Sequence, residues 1–265
     1  MKVVSSRHNP VVTAFRDAAA AAGADGRRVL LDGVHLVRDA RDAGLAFEVV
    51  VVAASRVEAH TDEGALASEL ARANVNVIAA ADKVFDALSP ARTPSGIVAI
   101  AAREPVPPED ICGAGHALVV AAVDVQDPGN VGSLVRAAEA GGATGAIVCG
   151  RSANPFSWKA LRGSMGSALR LPVATAAGGE TARRCMAEAG LGTVAAVPRG
   201  GLDPDALDWT GRVGLLLGGE GPGLPDDLVA RCDQRVTIPM STPVESLNVA
   251  VAGALLVYAA RRQRQ

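Results

Sequence analysis

Three clusters in the second half of this 265-residue chain hold residue types and spacings able to do chemistry. The first, DVQDPGNVGSLVRAAEAGG (124–142), runs from an apolar strand through Asp-Pro-Gly-Asn into a helix. Asn130 suits a helix cap, and Gly132 lets another group approach the backbone. Arg136 lies one turn further on. It is either a solvated helix arginine or a cation aimed at the carboxyl edge of a sheet, where open α/β folds bind ligands. The second, LLLGGEGPGLP (215–225), places four glycines in six residues after an apolar strand, which frees the backbone to wrap a ligand closely. It is neither GxGxxG nor a P-loop. Glu220 would repel a phosphate, so a cationic or neutral ligand suits the loop better; a plain strand-to-helix turn is the alternative. A buried carboxylate there needs a partner, and Arg136 is the candidate. The third, IPMSTPVESLNVAVAGALLVY (238–258), ends a strand in proline and opens a long helix of small apolar residues at Ser246–Asn248. Asn248 is a cap, a satisfied core amide or a site residue. The Ala, Val and Gly run behind it can pack closely within the fold or across a subunit interface.

Elements of an α/β protein position these clusters. Before residue 104, apolar runs at 28–32, 47–54, 75–81 and 96–102 alternate with helical patterns at 34–43, 63–73 and 83–88, which predicts a parallel sheet covered on both faces. The segment EPVPPED (104–110) has three prolines in seven residues and is the candidate linker. Beyond it, strands are expected at 116–125, 145–150, 171–176, 193–198, 212–217 and 235–239, and helices at 131–140, 180–189, 225–232 and 246–262. The predicted division is an N-terminal domain over 1–103, a linker over 104–114 and a second domain over 115–265.

Composition narrows the function classes. The chain is 49% hydrophobic with a mean hydropathy of +0.24, enough apolar material for a core, which excludes disorder as the main state. Aromatics are only 3%, which argues against a nucleic-acid surface built chiefly from stacked rings. The net charge of −2 does not hide two opposite halves and gives no bulk support for a polyanionic partner. One stretch differs: no acid occurs between Glu139 and Glu180, while Arg151, Lys159, Arg162 and Arg170 are basic, with Phe156 and Trp158 among them. Cys112, Cys149, Cys185 and Cys232 show no CxxC or Cys/His cluster and read as isolated thiols in a reducing compartment, not as a metal site. The N-terminus lacks the long apolar stretch of a secretory signal, and the longest uncharged run near the C-terminus is 15 residues, too short to span a membrane. A soluble, cytoplasmic protein is expected.

In order and spacing the three clusters resemble the SpoU (TrmH) family of RNA 2′-O-ribose methyltransferases, in the SPOUT superfamily. The first motif corresponds to Asn130, Gly132 and Arg136, the GxEG loop to Gly218–Gly221, and the IPM…SLN motif to Ile238, Pro239, Met240, Ser246, Leu247 and Asn248. RGSMGS (162–167) also fits. Gly219 departs from the asparagine many members carry. Residues 1–103 more loosely resemble the substrate-binding domain often attached, a small RNA-binding α/β fold; TPSGIVAIAA (93–102) is its clearest piece.

The resemblance implies a C-terminal parallel sheet with a deep trefoil knot, S-adenosylmethionine held by Leu217, Gly218, Gly219, Gly221, Ile238, Met240 and Leu247, and an obligate homodimer completing each site. It implies catalytic roles for Asn130, Arg136, Glu220, Ser246 and Asn248. Arg151, Lys159 and Arg162 would bind RNA, with no metal and no membrane involved. Large-subunit ribosomal RNA is the expected substrate; transfer RNA, or a non-catalytic RNA-binding module of the same fold, is the alternative. A dinucleotide-dependent oxidoreductase would need a GxGxxG after an early strand, which this sequence lacks.

Overall fold

The computed structural model describes residues 2–20, 27–58, 61–91, 93–113 and 115–265. In chain order the elements are β1 (Lys2–Val4), α1 (Pro10–Ala20), β2 (Arg28–Asp32), α2 (Val34–Asp42), β3 (Ala46–Ala53), α3 (Ala54–Glu58), α4 (Asp62–Arg72), β4 (Val77–Ala80), α5 (Asp82–Phe85) and β5 (Ile97–Ala102). They continue as α6 (Pro108–Cys112), β6 (Leu118–Val123), α7 (Pro128–Ala140), β7 (Gly145–Cys149), α8 (Trp158–Ser164), α9 (Ser167–Arg170) and β8 (Val173–Ala176). The chain ends with α10 (Gly179–Glu188), β9 (Gly192–Ala196), β10 (Val213–Gly218), α11 (Asp226–Ala230), β11 (Gln234–Val236) and α12 (Val249–Gln263).

Contacts divide the chain into two compact units. The first is Met1–Pro105 with Phe156–Arg170, and the second is Val106–Pro155 with Leu171–Gln265. This differs from the expected division in two places. The proline-rich segment is not all linker, because Pro108 opens α6 and Ile111 and Cys112 of that helix enter the second unit's core. Residue 114, also in the expected linker, lies outside the described residues. The basic segment 156–170 packs with the first unit: Trp158 rests against its core, Arg103 stacks 3.7 Å from the centre of the Phe156 ring, and Arg170 pairs with Asp39 at 2.8 Å. Burial holds the Arg103 pKa down at about 10. The segment's hydrophobic anchors, Phe156 and Trp158, decide its allegiance, and chain order does not.

The first unit carries a five-stranded sheet ordered β1-β4-β3-β5-β2. It is mixed, which corrects the expectation of a parallel sheet: β5 runs antiparallel to both β3 and β2. The cause is the connection before it. The connection over 81–96 carries only the four-residue α5, which rises about 6 Å, and among the described residues no helix long enough to span the sheet, and β5 starts at the edge where β4 ended. In consequence β1, β2, β3 and β4 all end, and β5 begins, at one rim.

The second unit has a six-stranded, wholly parallel sheet ordered β11-β9-β10-β6-β7-β8. Its middle strands are unbroken apolar runs because both faces are covered; every residue of β6 and β7 is buried. On one face α12 lies along α7, and the approach is close: a Cβ on Gly253 would overlap Leu134. The small-residue run of the C-terminal helix therefore serves packing within the fold. Cys112 and Cys185 are not isolated, since the Cys185 thiol donates to Cys112 Sγ at 3.8 Å, with no disulfide between them. Burial first, and then the neighbouring thiol, push Cys112 up to about 12.

Candidate active site

The site forms at the carboxyl end of β10. Register places Gly218 opposite Val123, so the chain leaves β10 beside Asp124. A Cβ on Gly219 would overlap the Asp124 carbonyl oxygen, which is why no side chain stands there. Gly221 and Gly223 take φ of +94° and +70°, and Gly219 and Gly223 bridge, closing the loop into a tight bend.

Helix α7 begins at Pro128, three residues earlier than expected. Asp127 caps it, accepting from the Asn130 amide at 2.8 Å, and Pro128 takes the first turn, where no amide is needed. The Asn130 side chain is thus released from capping, a correction with consequences. Asn248 is the cap of α12: its Oδ1 accepts from the amides of Ala250 (2.9 Å) and Val251 (3.3 Å). Those two donors fix which way the Asn248 amide faces, so its Nδ2 donates to Asn130 Oδ1 at 2.9 Å. Asn130 in turn donates from Nδ2 to Glu220 Oε1, and the Gln126 amide reaches Glu220 Oε2 at 3.4 Å. One directed relay, Asn248 to Asn130 to Glu220, joins all three sequence clusters.

Arg136 is not in it. The guanidinium is exposed and has no hydrogen bond or ion pair among the described residues, so the expected Arg136–Glu220 pair does not form. Glu220 itself is exposed, not buried, and needs no cationic partner. Helix geometry explains the miss. Six residues separate Asn130 from Arg136, about 9 Å along the axis and about 240° around it, so the two leave α7 on different faces.

A cavity of about 650 Å³ opens at the ends of β9, β10 and β11. All seven residues expected around the cofactor line it, together with Glu220, Ser246 and Asn248. Leu217, Ile238, Met240 and Leu247 supply apolar wall, and the glycine loop supplies backbone. The volume suits a nucleoside-sized ligand. Arg199, Arg235 and Asp226 also line it, and sequence reading missed them. The signal for Arg199 was present, since it follows a predicted strand at the carboxyl edge.

Among the three basic residues expected to bind RNA, Lys159 and Arg162 belong to the first unit and flank the Trp158 ring at 5.6 and 6.0 Å. Arg151 belongs to the second and stands 3.8 Å from Asp124. Among the described residues no group of three or more His, Cys, Asp or Glu is placed to hold a metal, and no helix is long and apolar enough to cross a membrane.

Residues 117–258 match the SpoU rRNA Methylase family, and residues 25–99 match the MRM3-like substrate binding domain. The chain is 38% identical over 149 residues to an uncharacterized tRNA/rRNA methyltransferase of Mycobacterium sp. strain KMS; the match covers 56% of this chain and only 48% of that protein, about half its length. It is 29% identical over 230 residues to the 23S rRNA (guanosine(2553)-2′-O)-methyltransferase RlmP of Bacillus subtilis strain 168, covering 86% of each. The crystal structure of an AdoMet-bound rRNA methyltransferase from Sinorhizobium meliloti aligns with a TM-score of 0.86 at 31% identity, over 98% of this chain and 97% of that one. With one family matched across more than half of the chain, over the three motifs that build the site, this protein belongs to the SpoU rRNA methylase family.

Proposed function

We propose that this protein transfers a methyl group from S-adenosylmethionine to a ribose 2′-hydroxyl of RNA, with large-subunit (23S) ribosomal RNA as the substrate. The observation that carries the reading is the relay from Asn248 through Asn130 to Glu220, set at the rim of a cavity that all seven expected cofactor residues line. The cavity fits the cofactor. Its size, its apolar wall, its glycine backbone and its mixture of Arg199, Arg235, Glu220 and Asp226 suit a molecule that bears both charges. When bound, the cofactor supplies a methyl group on a sulfonium.

The chain's own residues position the reactants, and holding two reactants in attack geometry is worth effective molarities of about 10⁵–10⁸ M. Glu220 and Asn248 hold Asn130 from both sides and so fix the mouth of the site. An arginine cannot serve as the base, because its guanidinium stays protonated. Arg136 instead orients the 2′-oxygen and stabilises its developing negative charge. Arg136 is unpaired among the described residues, and α12, the neighbour of α7, exposes Val251, Leu255 and Tyr258 at a helical spacing, each about half accessible. Both features support a homodimer in which the second copy completes the site. Lys159 and Arg162, beside Trp158, hold the RNA. The deep knot and a cytoplasmic location belong to the same reading.

The test is transfer of labelled methyl from S-adenosylmethionine to a 23S rRNA transcript, followed by digestion to nucleosides. Label in a 2′-O-methyl nucleoside supports the proposal, and label on a base overturns it. Arg136→Ala should abolish transfer while calorimetry shows cofactor affinity within about tenfold; wild-type turnover in that variant would remove Arg136 from the mechanism.

A further inference from the structure

Asp124, the first residue past β6, holds φ at +56°, a left-handed conformation that Asn and Asp tolerate better than other side chains. Strand register explains what surrounds it. Val123 pairs with Cys149 of β7 on one side and with Gly218 of β10 on the other, so Asp124 lies between the two chain exits. Its carboxylate turns toward β7, where Oδ1 accepts from the Arg151 amide at 2.6 Å. Gly150 makes the room, since a Cβ there would overlap that oxygen. The Arg151 guanidinium adds only a long, mostly exposed ion pair at 3.8 Å, a kind worth little. On the other side, the Asp124 carbonyl fills the space that a side chain on Gly219 would need.

The backbone amides of this segment are committed to the same two neighbours. The Asp124 amide donates to the Cys149 carbonyl at 3.2 Å, the Val125 amide to Ser152 Oγ at 2.9 Å, and the Gln126 amide to Glu220 Oε2 at 3.4 Å. The Ala153 amide returns a bond to the Val125 carbonyl at 2.8 Å. Two consecutive amides therefore bind the β7 exit, and the third faces the glycine loop. Peptide units are rigid planes, so a change of φ at Asp124 would swing every later group of the segment, the Gln126 amide included. Asp124 does not itself line the cavity at the ends of β9, β10 and β11. Its effect on a ligand there passes through the loop it braces.

We infer that Asp124 is a positioning residue of the cofactor site: its carboxylate, anchored on the Arg151 amide, fixes the left-handed turn that sets the Gly218–Gly221 backbone and Glu220 at the cavity mouth. The inference rests on the reading that the cavity takes S-adenosylmethionine. Substitutions separate the two parts of the brace. Asn keeps both the turn and an acceptor for the Arg151 amide, Gly keeps only the turn, and Ala keeps neither.

Two measurements on Asp124→Ala, Asp124→Gly and Asp124→Asn test it. Calorimetry with S-adenosylmethionine should show affinity about tenfold weaker in Asp124→Ala, several-fold weaker in Asp124→Gly, and within about twofold of wild type in Asp124→Asn. Amide hydrogen exchange without cofactor should show the 215–224 segment opening faster in the same order. Asp32→Ala, which removes a buried carboxylate from the other sheet, should leave both readings at the wild-type value. Equal affinity in wild type and all three Asp124 variants overturns the inference. So does Asp124→Asn as weak as Asp124→Ala, which would make the charge and not the turn the cause. Full affinity in Asp124→Gly overturns it too, since the carboxylate would then be idle. If wild type binds no S-adenosylmethionine, the cofactor reading fails, and the brace on the glycine loop stands or falls on the exchange order.

Discussion

Two carboxylates sit at or just past the ends of strands in the two sheets, each held by polar groups of neighbouring segments. Asp32 accepts from Ser89 and Ser95, and Glu220 accepts from Asn130 and the Gln126 amide. The local device is the same, a carboxylate that ties neighbouring segments together. The surroundings are not. Asp32 is 8% exposed, its partners are hydroxyls, and it does not line the cavity at the ends of β9, β10 and β11. Glu220 is exposed at a cavity, and its partner Asn130 is itself held by Asn248, so the carboxylate is the end of a relay and not the centre of a cluster. The difference teaches that a carboxylate network becomes a site only when it borders space. The first pins a loop, and the second shapes the edge of a pocket.

Breaking the relay gives the sharpest contrast. Asn130→Ala should lower kcat about 10²–10³-fold, the scale on which one preorganised polar group acts, while melting temperature moves little. Asn130→Asp should do no better despite its matching shape, because it sets a second carboxylate against Glu220. Turnover near wild type for either would reduce the relay to a loop tie like that of Asp32.

Gly219→Ala comes next. The added methyl meets the Asp124 carbonyl, so the loop must shift, and cofactor affinity by calorimetry should fall at least tenfold. The same enzyme with Asp32→Ala should show the reverse pattern. It removes a buried acceptor that Ser89 and Ser95 share, at a cost of about 1–3 kcal/mol, and should lower the melting temperature by several degrees with turnover per folded molecule retained. A large kcat loss at Asp32 would erase the distinction.

Leu255→Lys bears on whether the site is complete in one chain. It places a charge on the exposed stripe of α12, and gel filtration should show a smaller species with reduced turnover. The smallest expected effect concerns the thiols. Burial pushes both Cys112 and Cys149 up to about 12, so at pH 8 about one in 10⁴ is thiolate. Alkylation of the native protein should therefore spare both and quicken only as pH rises toward that value. Rapid modification of Cys149 at pH 8 would mean that its strand opens.

Much of the second unit was legible because its strands are uninterrupted apolar runs and its turns are marked by glycine and proline. The cavity's lining was legible too, since its residues fall at strand ends. The first unit was harder. Its sheet direction depends on the path of the 81–96 connection, in which the helical pattern ends after the four residues of α5 and no sheet-spanning helix follows among the described residues. The pairing of Glu220 was misread for a related reason: charge complementarity pointed to Arg136, whereas helix phase gives the carboxylate Asn130.

The amino-acid order alone determined which residues stand at loops and caps, because periodicity and glycine or proline positions are local properties. It determined the three clusters and hence the kinship. Tertiary structure alone decided who partners whom. Asn130 reaches Glu220 only because Asp127 takes over the capping, and the 156–170 segment joins the first unit because Phe156 and Trp158 find their packing there. Such pairings join residues as much as 118 positions apart, as Asn130 and Asn248 are, and no local pattern encodes the distance between them.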